Sequence, residues 1–297
     1  MIYLDHAATT PVAREVADTM YDVLLNGSGN PSSQYPYGAA AKKRLEADRA
    51  VIAAALGCKP DELYFTSCGT ESDNWAIRLA AHQNRRVGKH IITTAVEHSA
   101  VLEPCRQLEQ EGYAVTYLAP DRQGNITAQQ VADALREDTA LVSVMLVNNE
   151  TGCVFPVAEI ARLLRERGSR ALLHTDAVQA FLKLPFRADT LGADLISVSG
   201  HKLNAPKGVG ALYIGPRCRA VRPLLAALPT WDDETLLASM KELAERLEVK
   251  NAKVMWPVRI AVSGRAVTPG GAVEICRILG RDETLRRIDA GIAKLEG

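Results

Sequence analysis

A lysine does covalent chemistry only where its amine is partly withdrawn from water and presented to a partner. Lys202 sits at such a place, just past the apolar run "LISVS" (195 to 199) and within "SVSGHKLNAPKGVGALY" (197 to 213). Burial or a nearby cation there would lower its pKa and free the amine to form an imine with an aldehyde; taken alone, it reads as a solvated loop lysine. Four other polar clusters also follow apolar runs. In "TSCGTESDN" (66 to 74) the backbone N–H groups of Gly69 and Thr70, with the Thr70 hydroxyl, suit a phosphate, because a helix start presents unpaired donors and a positive dipole end. The ordinary alternative is a Thr-x-x-Asp helix cap made by Thr70 and Asp73. "LLHTDAVQ" (172 to 179) places Asp176 where a carboxylate needs a cationic or protonated partner such as a pyridinium nitrogen, and Gln179, one turn on, can reach a neighbouring ring oxygen. A loop-capping Asp and a surface Gln are the plainer reading. His98 in "VEHSAV" (96 to 101) follows a strand at a helix start, where an imidazole can lie on an aromatic ring and move protons, or simply be structural. Asn149 in "VNNETG" (147 to 152) adds a side-chain amide at a further strand end.

The elements that must position these groups are legible as alternating patterns. Apolar runs at 62–67, 90–96, 114–119, 140–147, 171–177, 195–199 and 211–215 read as strands, and segments such as 99–111, 127–137 and 156–167 carry helical spacing. Strands separated by helices imply an α/β fold with a seven-stranded, mostly parallel sheet covered on both faces. Groups at the carboxyl ends of such strands converge, and ligands of these sheets bind in the crevice outside that edge. A phosphate binder, a ring stacker, a partner for a ring nitrogen and an imine-forming lysine together fit pyridoxal 5'-phosphate, and no metal set is expected.

The chain has 297 residues, 47% hydrophobic and 24% charged, with a formal net charge of zero, an ordinary globular balance that does not point to nucleic acid or an anionic membrane surface. Its six cysteines include no Cys-x-x-Cys pair, and no apolar stretch is long enough to span a bilayer. Free thiols in a reducing cytoplasm are the expectation. Past Gly215 the pattern changes: 232–249 reads as an amphipathic helix, followed by a loop with Pro257 and "TPGG" (268 to 271), then helices over 272–279 and 282–295. Leu236, Leu243, Leu247, Trp256, Ile260, Ile275, Ile278 and Leu285 are its candidate core. The expected organisation is a large domain over 1–215, a junction over 216–230 and a small, mainly helical tail over 231–297.

Residues 1 to about 215 resemble cysteine desulfurases of the NifS/IscS type, in the class V aminotransferase group. The resemblance is carried by "YLDHAATTP" (3 to 11), "GNPSS" (29 to 33), "FTSCGTESDNWAI" (65 to 77), "EHSAVL" (97 to 102), "VNNETG", "HTDAVQ" (174 to 179) and "SGHKLNAPKGVGALY" (199 to 213). It implies the large domain of a type I pyridoxal-phosphate transferase, with Lys202 as the Schiff-base lysine and His98 stacked on the cofactor ring. By the same carry-over, Asp176 pairs with the pyridine nitrogen, Gln179 bonds the phenolic oxygen and Asn149 lies beside it. Gly69, Thr70, Ser199 and His201 hold the phosphate. The implied reaction removes sulfur from L-cysteine, or acts on a similar amino acid, to give alanine and an enzyme persulfide; a homodimer and a sulfur-acceptor protein are the implied partners. The family's Gly-Gly and Arg-Ser-Gly-Thr segments, its small domain, its substrate-carboxylate arginine and its persulfide-cysteine loop find no match, so the large domain reads as truncated and sulfur transfer as impaired. Cys68 and Tyr35 also depart from the glycine and histidine usual at those positions.

Residues 231–297 resemble a different family, the C-terminal, anticodon-binding end of bacterial glutamyl-tRNA synthetase, most clearly in "WPVRIAVSG" (256 to 264) and "ILGRDETLRRI" (278 to 288). That resemblance implies tRNA or another partner as a ligand of the tail, with Arg259, Arg265, Arg286 and Arg287 as a local basic patch. Nearly balanced charges make solvated helix faces the alternative. A fusion without an evolved joint function is the third reading of the junction.

Overall fold

The computed structural model describes residues 2–218, 230–246, 251–263 and 271–295. The chain divides into two compact units, Met1–Gly215 and Pro216–Gly297.

The first unit is built on one seven-stranded sheet, with β1 (Leu63–Thr66), β2 (His90–Thr94), β3 (Ala114–Leu118), β4 (Thr139–Ser143), β5 (Leu172–Asp176), β6 (Leu195–Ser199) and β7 (Gly210–Ile214). The spatial order is β1-β7-β6-β5-β4-β2-β3; β7 runs antiparallel to both neighbours and every other pairing is parallel. This is the mostly parallel α/β sheet expected. Each residue of β2, β4, β5, β6 and β7 is buried, which requires cover on both faces and explains why these strands read as continuous rather than alternating runs. The cover comes from α2 (Pro36–Leu56), α3 (Gly69–Gln83), α4 (Ser99–Gln110), α5 (Ala128–Ala134), α6 (Val157–Glu166) and the short α7 (Ala188–Leu191), while α1 (Arg14–Asn26) buries no residue. Helix α3 buries Gly69, Asp73, Ala76, Ile77 and Ala80, the spacing that keeps one helical face on a sheet.

Two boundaries differ from the sequence pattern by more than two residues, for local reasons. The run 140–147 is regular strand only to Ser143, because the Met145 N–H turns away to donate to the Glu97 carboxylate at 2.9 Å. Helix α5 spans fewer residues than 127–137: Thr127 and Gln130 form a capping box at its start, but Leu135 is extended and the Arg136 N–H donates to the Thr139 hydroxyl, so the helix cannot continue.

The second unit is helical, with α8 (Asp233–Arg246), α9 (Asn251–Ser263) and α10 (Ala272–Leu295). Its core gathers Leu236, Met240 and Leu243 of α8, Val254, Val258 and Val262 of α9, and Cys276 and Ile288 of α10. The loop expected around Pro257 is instead the interior of α9, where Val254, Val258 and Val262 recur every four residues and bury one face; that burial outweighs the loss of a backbone donor at proline. The expected break between the last two helices is present as a kink at Gly280, whose φ of 76° is a left-handed conformation suited to glycine. The Cys276 carbonyl near that kink accepts from the Thr284 hydroxyl at 3.1 Å and from the Trp231 indole at 2.9 Å. Ile275 and Leu285 pack against the core as expected, whereas Ile278 is 75% exposed, because it falls on the outer face of its helix. Leu247 and the side chains of Trp256 and Ile260 lie outside the described residues, as do most of the junction and residues 268–270 of "TPGG". Among the described residues no helix is long and apolar enough to cross a membrane.

Candidate active site

A cavity of about 530 Å³ opens at the carboxyl ends of the parallel strands. Gly69, Thr70, His98, Asn149, Asp176, Gln179, Ser199, His201 and Lys202, the residues singled out from the sequence, all line it. Asp5, Ala7, Ala8, Cys68, Asp73, Met145, Val147 and Val178 complete the wall.

Lys202 ends a 3-10 turn, Gly200–Lys202, that follows β6 directly. The turn is tied to the N-terminal segment: the Thr10 N–H donates to the His201 carbonyl at 2.8 Å, the Ala13 N–H to the Asn204 carbonyl at 2.9 Å, and the Asn204 amide to the Pro11 carbonyl at 2.9 Å. Asn204 takes the left-handed conformation, φ 58°, that asparagine tolerates better than most residues. The Lys202 amine donates to the carbonyls of Ala7 and, at 2.7 Å, Ala8. Burial, helped by Lys183, holds its pKa below the usual lysine value, with Asp176 and Asp5 pulling the other way. A half-buried ammonium whose acceptors are neutral carbonyls is poised to lose a proton more readily than one bound to a carboxylate.

Helix α3 starts at the cavity. Its N-cap, Cys68, makes no side-chain capping bond, which leaves first-turn N–H groups for a ligand. The Thr70 to Asp73 cap considered as an alternative does not form: Thr70 lies inside the helix and Asp73 is buried against the sheet. A Cβ at Gly69 would come within 2.9 Å of Val178 Cγ2 and 3.4 Å of Ser199 Cβ, so glycine keeps the floor of the cradle open. A Cβ on Gly210 would sit 2.8 Å from the Cys68 carbonyl carbon, so glycine also lets β7 approach the turn into α3. The Ser199 hydroxyl is buried beside Gly69 without a hydrogen-bond partner. The His201 Nδ1 lies 3.2 Å from the Thr9 hydroxyl, and burial, followed by Lys202, lowers the pKa of this imidazole.

Asp176 closes β5. Its Oδ1 accepts from the Val178 N–H at 2.8 Å, and burial, reinforced by the nearby Asp73 charge, pushes its pKa up to about 7. Gln179 donates to the Ala7 carbonyl at 2.8 Å and accepts from Lys183 at 2.9 Å. His98 is the N-cap of α4, its Nδ1 accepting the Ala100 N–H at 3.1 Å. A backbone N–H can only donate, so Nδ1 is the unprotonated nitrogen and the ring proton of the neutral imidazole sits on Nε2. Asn149 is presented by its neighbour: Asn148 donates to the Val96 carbonyl at 2.8 Å and accepts the N–H groups of Glu150 and Thr151, a turn that fixes this loop over the strand ends.

Reasoning from the sequence does not single out Asp73 as a cavity residue, or Ala7 and Ala8 as acceptors. Asp73 is concealed as a helix-cap candidate, and main-chain acceptors leave no trace in residue type. In the second unit Arg286 and Arg287 of the expected basic patch both pair with Glu283, at 2.7 and 2.6 Å, so one carboxylate offsets one of their two charges; Arg265 lies outside the described residues. Cys276 is fully buried and its thiol is pushed up to about 11 by burial, the opposite of a reactive site.

The Aminotransferase class-V family matches residues 2–230. Cysteine desulfurase IscS of Methanosarcina thermophila is 46% identical over 213 residues, 72% of this chain and 52% of its own length. Putative cysteine desulfurase IscS 1 of Bacillus subtilis (strain 168) is 50% identical over 212 residues, 71% of this chain and 55% of its own. The chain thus spans about half the length of the curated relatives it matches. Among solved structures, that of a NIFS-LIKE PROTEIN is similar with a TM-score of 0.70 at 32% identity, covering 89% of this chain and 75% of that one. The structure of SspA in complex with cysteine has a TM-score of 0.69 at 40% identity, covering 72% and 61%.

Proposed function

The chain belongs to the class-V aminotransferases, a pyridoxal 5'-phosphate-dependent family, and from that premise we propose that its first unit is the cofactor-bearing part of a cysteine desulfurase-like enzyme acting on L-cysteine or a similar amino acid. The observation that carries this reading is a single cavity holding an amine of lowered pKa, a buried carboxylate and an uncapped helix start. The residues fit the cofactor on structural grounds: the orphaned Ser199 hydroxyl and the free first turn of α3 want an acceptor-rich group, and buried Asp176 wants a cationic or protonated nitrogen. When bound, pyridoxal 5'-phosphate supplies an aldehyde for an amine and an electron-withdrawing ring that stabilises negative charge on the adjoining carbon.

In this reading Gly69, Thr70, Ser199 and His201 hold the phosphate. Asp176 keeps a proton on the ring nitrogen, and Gln179 and Asn149 orient the ring oxygen. Lys202 provides the attaching amine and a base. His98 is the second catalytic residue, holding its proton at Nε2 because Nδ1 is occupied by the Ala100 N–H. Cysteine as substrate draws support from the desulfurase relatives and from the similar structure of SspA in complex with cysteine. A homodimer, a protein sulfur acceptor and a cytoplasmic location belong to the same proposal. Sulfur transfer by this sequence is expected to be slow, since the segment that bears the persulfide cysteine in NifS/IscS-type enzymes has no match in it.

The test is direct. Pyridoxal 5'-phosphate added to the purified protein should give visible absorbance, and borohydride should fix the cofactor to Lys202 as a mass adduct on the peptide containing it. The Lys202→Ala protein should show no adduct. Alanine and sulfide released from cysteine should be detectable with the wild-type protein and absent with Lys202→Ala. A wild-type protein that takes up no cofactor would overturn the proposal.

A further inference from the structure

A second cavity, of about 520 Å³, shares Ala7, Gln179 and Lys202 with the first and is lined beyond them by His6, Lys183 and Asn204. Lys183 has no part in the roles above, yet a chain of hydrogen bonds joins it to Lys202. Its amine donates to Gln179 Oε1 at 2.9 Å, Gln179 Nε2 donates to the Ala7 carbonyl at 2.8 Å, and the Lys202 amine donates to that same carbonyl. The partners determine which end of the carboxamide is which. A carbonyl can only accept and an ammonium can only donate, so the two agree on one orientation. Nε2 carries two hydrogens, and the one not given to Ala7 is the donor left for a ring oxygen.

The backbone is bent to bring Lys183 there. The N–H groups of Ala180 and Phe181 donate to the Ala177 carbonyl at 3.0 and 2.8 Å, and those of Lys183 and Leu184 to the Ala180 carbonyl at 3.0 and 2.9 Å. Buried Phe181 anchors the segment, its ring edge-on to Phe186 with centroids 6.4 Å apart. Leu182 has a φ of 58°, in the left-handed region that a non-glycine residue rarely adopts. It is also 66% exposed, so burial of its own side chain does not account for the conformation. Strain of this kind persists where surrounding contacts over-determine it, and the contact that directly follows is the one from Lys183 to Gln179, four positions back. The charges facing the Lys202 amine come from each neighbouring segment: Lys183 from this turn, Asp176 from β5 and Asp5 from the N-terminal segment. His201, beside it in the 3-10 turn, feels Lys207, His98 and Lys183 as well. Burial comes first and Lys183 second in lowering the Lys202 pKa, with the two carboxylates opposing.

We propose that Lys183 is a positioning residue of the candidate active site, locking the Gln179 carboxamide with its amide hydrogens toward the Ala7 carbonyl and the cavity and setting a second cation on the wall it shares with Lys202. The inference rests on the pyridoxal 5'-phosphate reading. Lys183 touches no reacting atom; it acts through Gln179, which presents a fixed donor to the ring oxygen, and through Lys202, whose amine it helps keep free of a proton.

The test compares wild type, Lys183→Met and Lys183→Arg. Lys183 is exposed, so neither substitution enters the core. Each protein, free of cofactor, is pulsed with acetic anhydride between about pH 7 and 10, and acetylation of Lys202 is read by peptide mass spectrometry against exposed Lys59. Methionine keeps an unbranched stem and removes the cation, so Lys202 should hold its proton to higher pH and be labelled about threefold or more slowly near pH 8; arginine should restore the wild-type rate. Affinity reads the other arm. Lys183→Met should bind pyridoxal 5'-phosphate about threefold or more weakly, and the loss should be smaller for an analogue with hydrogen in place of the ring hydroxyl, since the Lys202 contribution is common to both compounds. Unchanged labelling in Lys183→Met, labelling slowed equally in Lys183→Arg, or an equal loss of affinity for the two compounds overturns this proposal alone. No uptake of cofactor by wild type overturns the cofactor reading and this one with it.

Discussion

Ionisable side chains at one end of this sheet are set apart by what surrounds them. Glu97 is buried, accepts from the Thr94 hydroxyl and the Met145 N–H, and is pushed up to about 8 by burial. Its folded-state pKa is raised, so its contribution to stability is fully present below 4.5 and is lost as pH rises through about 8. Glu97→Gln keeps the acceptor oxygen and removes the titration. The stability of the variant relative to wild type should therefore climb between pH 4.5 and 8, by on the order of a few kcal/mol, in thermal melts taken across that range. His174 has the opposite sign: its stabilising contribution is present above 6.5 and is lost as pH falls through about 4. His98 separates two tasks in one ring. Asparagine is a good N-cap, so His98→Asn should melt within about 1 kcal/mol of wild type, while the reaction of the loaded protein with cysteine, followed by its visible spectrum, should slow by about 10²-fold or more.

At the scale of the element, the start of α3 decides what the cavity can hold. Gly69→Ala puts a methyl 2.9 Å from Val178 Cγ2. The expected penalty is about 1–3 kcal/mol, felt as a Kd for pyridoxal 5'-phosphate raised roughly tenfold or more, with the helical signal in circular dichroism unchanged. Much of this layout was legible in the sequence: each of the seven strands is an apolar run, and polar residues at or just past the ends of β1, β2, β4, β5 and β6 are the residues that meet in the cavity. What escaped was decided by contacts between distant segments. The end of β4 depends on Glu97 reaching Met145, the helix through Pro257 depends on three valines finding a core, and the place of Asp73 depends on which face of α3 lies on the sheet. Helices α1 and α2 also escape a reading of the pattern: α1 buries no residue, so it shows no apolar stripe committed to a core.

For the molecule as a whole, each of the two units has an apolar core of its own. Met240→Ala empties space in the second core and should lower its stability by about 2–5 kcal/mol. Cofactor uptake by the first unit should be unaffected, as read by visible absorbance below the melting point of the second. The hydrogen bonds from Lys202 to the Ala7 and Ala8 carbonyls span nearly the whole first unit, joining residues 195 and 194 positions apart. During synthesis the acceptors leave the ribosome first and the amine last, roughly 10 to 40 s later at ordinary translation rates. On the proposed role of Lys202, a nascent chain carries no finished aldehyde trap until almost all of that unit has emerged, and an unfinished copy is expected not to sequester the vitamin.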